Sequence, residues 1–358
     1  MAKTHVALID EVEQELQDTG NAIWTAAELA IVMDKALKGL SEYQPYVMRE
    51  TFQIESRTGS ATSTTASALV DSTESQFLST DVDKVIYNKT DNTWAIVTAF
   101  VSTSQLTLSK DIMVSGEDYE MFNEGCKSNL QVNIGDVPDY QEILKVVYKA
   151  QQDPEEKRNW TLEGDILTID YDLEPDDSKV ATSGDQPDVE VYVYFAKRHR
   201  VCRQTDLAGA VDLVAGYAAG STSMVIDELT NADAYVYEGT LFTVAGIRGT
   251  YCVTADAAIA TLEATVSFWP GLESAAVEND VVTFIGSTLT PRLERILVEL
   301  TAARAVISKG TDYIGEVTAG GISIWKDFQE AGERRLGLIL PELRRMTPPK
   351  TKHTWPKE

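Results

Sequence analysis

The three histidines, His5, His199 and His353, are the side chains best suited to acid–base or metal chemistry. They lie far apart, with no HxxxH or HxH spacing, so packed or surface histidines are expected ahead of ligands. Asp81 with Asp83, and Asp176 with Asp177, could chelate a cation or divide acid and base roles. Asp81 and Asp83 stand at a Ser/Thr-rich strand entry and Asp176 and Asp177 in a polar loop, places where acids ordinarily face water. Cys126, Cys202 and Cys252 are odd in number and widely spaced, which suggests neither a disulfide framework nor a zinc site and fits a reducing cytoplasm. The sequence carries no GxGxxG, GxxxxGK[ST] or GxSxG pattern. Gly209, Gly216 and Gly220 lie among alanines and read as flexible linkage. No catalytic, cofactor-binding or metal-binding residue is expected, and the chain is not read as an enzyme.

Charge says more. The 358 residues carry a formal charge of −25, which argues against adhesion to nucleic acid or to an anionic membrane. The charge is uneven: from Arg334 to Glu358 there are seven Lys or Arg against two acids, about +5, leaving about −30 elsewhere. Arg334, Arg335, Arg344, Arg345, Lys350 and Lys352, with Trp355 as a large apolar anchor, are the candidate partner-binding residues. Residues 346–358 read as a basic extended arm that Pro348, Pro349 and Pro356 keep from collapsing. The internal cluster Lys197-Arg198-His199-Arg200 reads as a salt-bridged surface. No apolar run approaches eighteen residues, and the acidic start lacks the order of a signal peptide, so neither a membrane span nor a leader is expected.

The elements that must carry these groups begin with a helix over 291–309. Thr290 can cap it, Pro291 fits its first position and Gly310 can stop it. Its stripe, Leu289, Leu293, Ile296, Leu300, Ala303 and Ile307, looks narrow. A helix over Thr4 to Gly20 should turn Val6, Ile9, Val12 and Leu16 inward. Thr25 with Glu28 forms a capping box and Trp24 with Leu29 a staple, opening a helix with Leu29, Val32, Ala36 and Leu40 on its inner face. A last helix, from about Gly321, carries Trp325, Phe328, Gly332, Leu336 and Leu340, and Pro341 should end or kink it.

Between the helices the period changes to two. Residues 52–125 and 204–286 read as two all-β modules, the second a copy of the first. Val70-Asp71 answers Ile226-Asp227, and Val97-Thr98 answers Val253-Thr254. Gly116 to Tyr119 answers Glu278 to Val281, with FWPGLESA lengthening the second copy. Residues 142–148, 164–171 and 188–195 alternate as strands; Val189, Val191, Val193 and Phe195 share one face. The expected fold is α+β: a small helical bundle with core antiparallel strands and two inserted β modules. Its parts are 1–51 (helical core, N-terminal part), 52–125 (first module), 126–203 (core strands), 204–286 (second module), 287–345 (helical core, C-terminal part) and 346–358 (arm).

The opening residues resemble those of head–tail adaptor proteins of tailed bacteriophages. The resemblance rests on Leu16 to Asp18, on Trp24 to Leu29, on the Ala-rich Asp34 to Leu40 and on Pro45. The closing helices suit the same family; the β modules depart from its minimal form and are similar to modules of phage structural proteins. The resemblance implies a homo-oligomeric ring, dodecameric in the family, below the portal protein in the virion neck. Such a ring is assembled in the host cytoplasm, meets a tail or tail-tube protein, and lets double-stranded DNA pass without tight binding; it has no cofactor and no membrane. A stopper or tail completion protein is the nearest alternative. A carbohydrate- or receptor-binding protein is another, and it would need Trp94 and Trp269 exposed instead of in the module cores.

Overall fold

The structure, a computed structural model, describes residues 3–150, 155–171, 189–230, 233–310 and 324–346. It is mixed α+β and divides into two compact units, residues 1–46 with 197–358, and residues 47–196.

Among the described residues the first unit holds four helices: α1 (His5–Glu15), α2 (Ala26–Tyr43), α3 (Pro291–Gly310) and α4 (Ile324–Met346). The carboxylate of Asp18 sets the α1–α2 corner by accepting the N–H groups of Ala22, Ile23 and Trp24 at 2.9, 2.8 and 2.8 Å. These bonds to the charged form hold its carboxyl below the usual range, Trp24's contributing most. α1 therefore stops at Glu15, with Gln17 in the left-handed region at φ 56°, and does not run on to Gly20. It buries Leu8, Ile9 and Val12 and leaves Val6 exposed. The α2 capping box forms as expected: Glu28 accepts from the Thr25 N–H at 2.8 Å, and Thr25 Oγ1 accepts from the Glu28 N–H at 3.2 Å. Leu29, Met33, Ala36 and Leu40 form its buried face, Met33 taking the place expected for Val32.

α3 is the centre of the bundle, with α1, α2 and α4 against it. Its apolar surface is broad: Leu293, Ile296, Leu297, Leu300, Ala302 and Ala305 are all buried. A helix enclosed on several sides loses the polar face that a surface helix keeps. Even Glu294 is buried, accepting the Lys3 N–H at 3.1 Å. Gly332 lets α4 approach α3, because a Cβ there would lie 2.3 Å from Ile307 Cγ1 and 2.9 Å from the Ala303 carbonyl. α4 passes through Pro341 and ends at Met346. Pro341 is exposed, and the buried Ile339 and Leu343 anchor the turns on either side of it.

The same unit contains the second β module. β13 (Ala208–Val211), β14 (Ser223–Asp227), β16 (Leu241–Val244), β17 (Tyr251–Val253), β19 (Ala264–Trp269) and β20 (Val281–Phe284) close a six-stranded barrel in the order β13-β14-β19-β17-β16-β20. β15 (Tyr235–Val236) and β18 (Ala257–Ala258) pair separately. Gly209 is thus a strand residue, not linkage.

The second unit opens with β1 (Tyr46–Gln53) and contains the first module: β2 (Thr58–Ser60), β3 (Ala68–Val70), β4 (Val85–Asn88), β5 (Thr93–Ser102), β6 (Gln105–Leu108) and β7 (Asp118–Phe122). The remaining strands are β8 (Gln131–Asn133), β9 (Tyr140–Tyr148), β10 (Lys157–Glu163), β11 (Ile166–Asp170) and β12 (Glu190–Lys197). They form with β1 a sheet of order β1-β12-β9-β10-β11-β8, in which Val191, Val193 and Phe195 are buried as expected. This sheet belongs with the first module, and the compact division of the chain falls at 46/47 and 196/197.

The first module has the strand order β2-β7-β4-β5-β6-β3, which is the order of the barrel with β2, β7, β4, β5, β6 and β3 replaced by β13, β20, β16, β17, β19 and β14. The hydrogen bonds repeat as well. Val97 N–H donates to Lys84 as Val253 does to Thr240; Met121 donates to Arg57 as Phe284 does to Leu207. The Val114 N–H meets the Glu117 carboxylate as the Val277 N–H meets Asp280. The interiors correspond through Leu69 and Met224, Ile86 and Phe242, Val97 and Val253, Leu108 and Phe268, and Met121 and Phe284, all buried. Val97 with Val253 is the match read from sequence. Val70 corresponds to Val225, however, and Glu117 to Asp280, each one residue from the sequence alignment. Short runs of Val, Ile and Asp align equally well in two registers, and only the inward or outward direction decides between them.

Candidate assembly surfaces

The basic residues singled out in the sequence fall mainly on α4, whose C-terminal half offers two faces. The inner face places Leu336, Ile339, Leu340, Leu343 and Met346 against the bundle. The outer face presents Arg334, Leu338, Pro341 and Arg345, spaced by four, three and four residues and therefore on one stripe, with Arg344 beside it. All five are exposed, Leu338 by 76%. Arg335 points elsewhere: its Nη1 is 3.1 Å from Glu15 Oε1, an ion pair to α1 at a half-exposed position. The end of the helix is held by Glu342, which accepts from Arg292 at 2.9 Å and Arg295 at 2.9 Å, and by Gln44 donating to the Met346 carbonyl. The two guanidinium groups, Arg292's first, keep the Glu342 carboxyl below the usual range. Lys350, Lys352 and Trp355 lie outside the described residues, as do Asp176, Asp177 and His353.

Asp81 and Asp83 do not form a cation site. Asp81 is fully buried and gripped by Arg57, at 2.5 and 2.9 Å, with Lys84 at 3.0 Å; Asp83 is exposed, with φ 72°. Arg57 also bonds Glu55 at 2.9 and 2.7 Å, and Lys84 reaches Glu55 at 2.5 Å. Burial alone would raise the Glu55 pKa, but Arg57 and Lys84 outweigh it and bring the carboxyl to about 2. The four groups are a closed, charge-balanced cluster that ties the segment leading into β2 to the turn before β4, with both Asp81 oxygens already engaged. Among the described residues no three His, Cys, Asp or Glu side chains come together as a metal site would require.

His199 is buried and His5 half-buried, and burial lowers the pKa of each. His199 Nδ1 lies 3.0 Å from Thr288 Oγ1 and its backbone N–H donates to Ser41 Oγ at 3.0 Å, so within the cluster Lys197 to Arg200 this residue is packed between α2 and the start of α3, while Arg198 is exposed. The Lys197 ammonium lies 5.0 Å from the Trp269 ring centroid. All three thiols are buried, and burial, with Glu124 adding, pushes Cys126 up to about 12. Among the described residues no helix is long and apolar enough to cross a membrane.

Of the two tryptophans that the receptor-binding alternative needs exposed, Trp269 is half-buried and Trp94 lies on a second open surface. On the outer face of the first module, the cross-strand pairs Tyr87–Trp94 and Val85–Ile96 stand side by side. Trp94 is 51% exposed and Ile96 38%, and the Lys110 ammonium lies 3.9 Å from the Trp94 ring centroid. The signal was present in β5: Ala95 and Val97 fill the module interior, yet Trp94 and Ile96 make the opposite face apolar too. A strand apolar on both faces is ordinarily covered on both. In the same way Leu338 is an apolar residue set among charged ones, off the stripe that packs α4. In comparisons with known proteins, the chain matches no protein-family model and no curated relative.

Proposed function

We propose that this chain is a structural virion protein, a head–tail adaptor that forms a ring below the portal and joins the DNA-filled head to the tail. One observation carries the reading. Residues 5–43, which hold most of the adaptor-like elements, pack with residues 291–310 and 324–346 as one four-helix bundle around α3, with Asp18 and the Thr25–Glu28 box as its fixed corner. In this reading the helices are the assembly core, and the duplicated β modules are additions carried on it. The formal charge of −25 suits a passage through which DNA slides, since like charge removes the phosphate-binding term. The basic face of α4, continued by residues 347–358, serves as the attachment arm. Negative-stain imaging of the purified protein, alone and mixed with portal protein, tests the reading: rings that cap the portal support it. A protein that never associates with portal, yet binds tail tube, is instead a stopper or completion factor.

A second reading has its own observation, the exposed Trp94 beside Tyr87. An aromatic platform on a β module suits the apolar face of a sugar ring. A glycan array decides: binding that Trp94→Ala removes favours a receptor-binding module.

A further inference from the structure

The two modules differ most where their outer faces are compared. The pair Val85–Ile96 in the first corresponds to Leu241–Cys252 in the second. Leu241 and Cys252 point away from the barrel interior, yet they are only 6% and 5% exposed. Trp269, paired with Cys252 across the strands, lies beneath the Lys197 ammonium at 5.0 Å. Where this fold closes that face, it does so with its own chain and with a cation laid on an indole. In the first module the same face is more open, with Trp94 51% and Ile96 38% exposed beside the half-buried Val85 and Tyr87, and Lys110 over Trp94 shows that its indole also accepts a cation.

We infer that the open face of the first module, Tyr87, Trp94, Val85 and Ile96, receives the outer stripe of α4, Arg334, Leu338 and Arg345, from a second copy of this chain. Three features select that occupant. The stripe has one prominent apolar side chain flanked by two guanidinium groups, and the face has an apolar centre with an indole and a phenol that such groups stack on. The charges are complementary: residues 52–125 hold eleven acids against four bases, whereas residues 334–358 hold seven bases against two acids. The two surfaces are different patches of one chain, so each copy presents both halves of the contact. Such a contact is head to tail, and repeated with a closing rotation it makes a ring. The inference rests on the ring reading and supplies the interface for it.

The test uses the full chain and two variants at exposed positions, Trp94→Ala and Leu338→Asp, with Ile96→Lys as a second variant of the module face. Circular dichroism confirms that each is folded, and analytical ultracentrifugation across a concentration series at low and at 0.5 M salt reads association. The expectation is multimers for the natural chain, weakened by salt. Each variant should need about tenfold or more protein to associate. An equimolar mixture of Trp94→Ala and Leu338→Asp should give heterodimers that grow no further, because one intact face meets one intact stripe and the other two are disabled. Multimers of the natural chain that survive both substitutions overturn the inference and leave the ring reading standing. A mixture that stays monomeric while each variant has lost association also overturns it, since the two surfaces then do not meet each other. A natural chain that is monomeric throughout the series overturns the inference, while imaging with portal protein decides the ring reading separately.

Discussion

Gly59 and Gly209 hold the same place in the two β modules. A Cβ at Gly59 would lie 2.6 Å from Asp71 Oδ2, and one at Gly209 2.6 Å from Ile226 Cγ2; Asp71 and Ile226 are themselves counterparts, each following the matched pair Val70 and Val225. The close approach has been kept while the chemistry beneath it has changed. In the first module Asp71 is fully buried and accepts from Tyr119 at 2.8 Å; in the second the same space is filled by Ile226 and Val282.

Gly59→Ala and Gly209→Ala should therefore each destabilise the protein, by about 1–3 kcal/mol for an overpacked site. Gly209→Ala should cost more, because its Cβ would also lie 2.8 Å from the Asp227 carbonyl, which is backbone and cannot swing aside. Gly20→Ala, with nothing within 4 Å, is the control and should stay within about 0.5 kcal/mol. Urea unfolding of the three variants checks this, and equal midpoints for all three would refute it.

The Glu55–Arg57–Asp81–Lys84 cluster predicts how acid weakens the first module. Glu55 is depressed in the folded state, from 4.5 to about 2, so its contribution is fully present above pH 4.5 and is lost as pH falls toward 2. The shift corresponds to a contribution on the order of 3 kcal/mol. The natural chain should lose stability across that window, and Glu55→Gln, weaker at neutral pH, should show a flatter profile there. Urea midpoints between pH 7 and pH 3 read the difference; parallel profiles would show that Glu55 is not the group responsible.

The second module suggests what can replace that cluster. Arg57, Asp81 and Lys84 correspond to Leu207, Tyr237 and Thr240: Met121 donates to Arg57 as Phe284 does to Leu207, and Lys84 donates to Asp81 as Thr240 does to Tyr237. Arg57→Leu alone leaves the buried Asp81 and Glu55 carboxylates to share Lys84 and should cost about 3–5 kcal/mol. Arg57→Leu with Asp81→Asn should recover a large part, since the amide oxygen can still accept from the Leu78 N–H, now 2.8 Å from Asp81. Thermal unfolding that ranks the double variant below the single one would contradict this account.

The sequence made some of this legible and hid the rest for physical reasons. Thr25 with Glu28 and Thr290 with Pro291 announced helix starts, because capping is a local hydrogen-bonding pattern. The repeat was visible at Val97 and Val253, but its registers slipped at Val70 and Glu117, where only burial distinguishes neighbours. β10 went unread: its residues Lys157 to Glu163 are nearly all exposed, and the strand is recognisable only through its hairpin with β11, where Gly164 at φ 61° makes the turn. The breadth of α3's buried surface could not be seen either, since Ala302 and Ala305 read as neutral until three helices surround them. Asp81 looked solvated because its partner Arg57 is 24 residues away in sequence.

The second module should be removable. Its entry and exit lie together: the Cys202 N–H donates to the Gly286 carbonyl at 2.8 Å, and Val201 pairs with Ser287. On the bundle side the junction is fixed independently of the barrel. His5 N–H donates to the Cys202 carbonyl at 2.9 Å, Arg200 N–H to Thr288 Oγ1 at 2.9 Å, and His199 N–H to Ser41 Oγ at 3.0 Å. The barrel also has its own interior, built on Phe242, Phe268 and Phe284. Replacing residues 204–285 by a short Gly/Ser bridge therefore closes a gap already spanned by a hydrogen bond, and short closures cost little entropy. One cost remains, because Arg203 pairs with Asp34 at 2.8 Å and the bridge would begin beside it; that pair is exposed and contributes about 0–1 kcal/mol. The shortened protein should keep its helical circular dichroism, unfold cooperatively, and lose no more than a few degrees in Tm. In the adaptor reading it should also still bind portal. Loss of the helical transition on deletion would show instead that the bundle depends on the barrel for its stability, and that the module is an integral part of the fold.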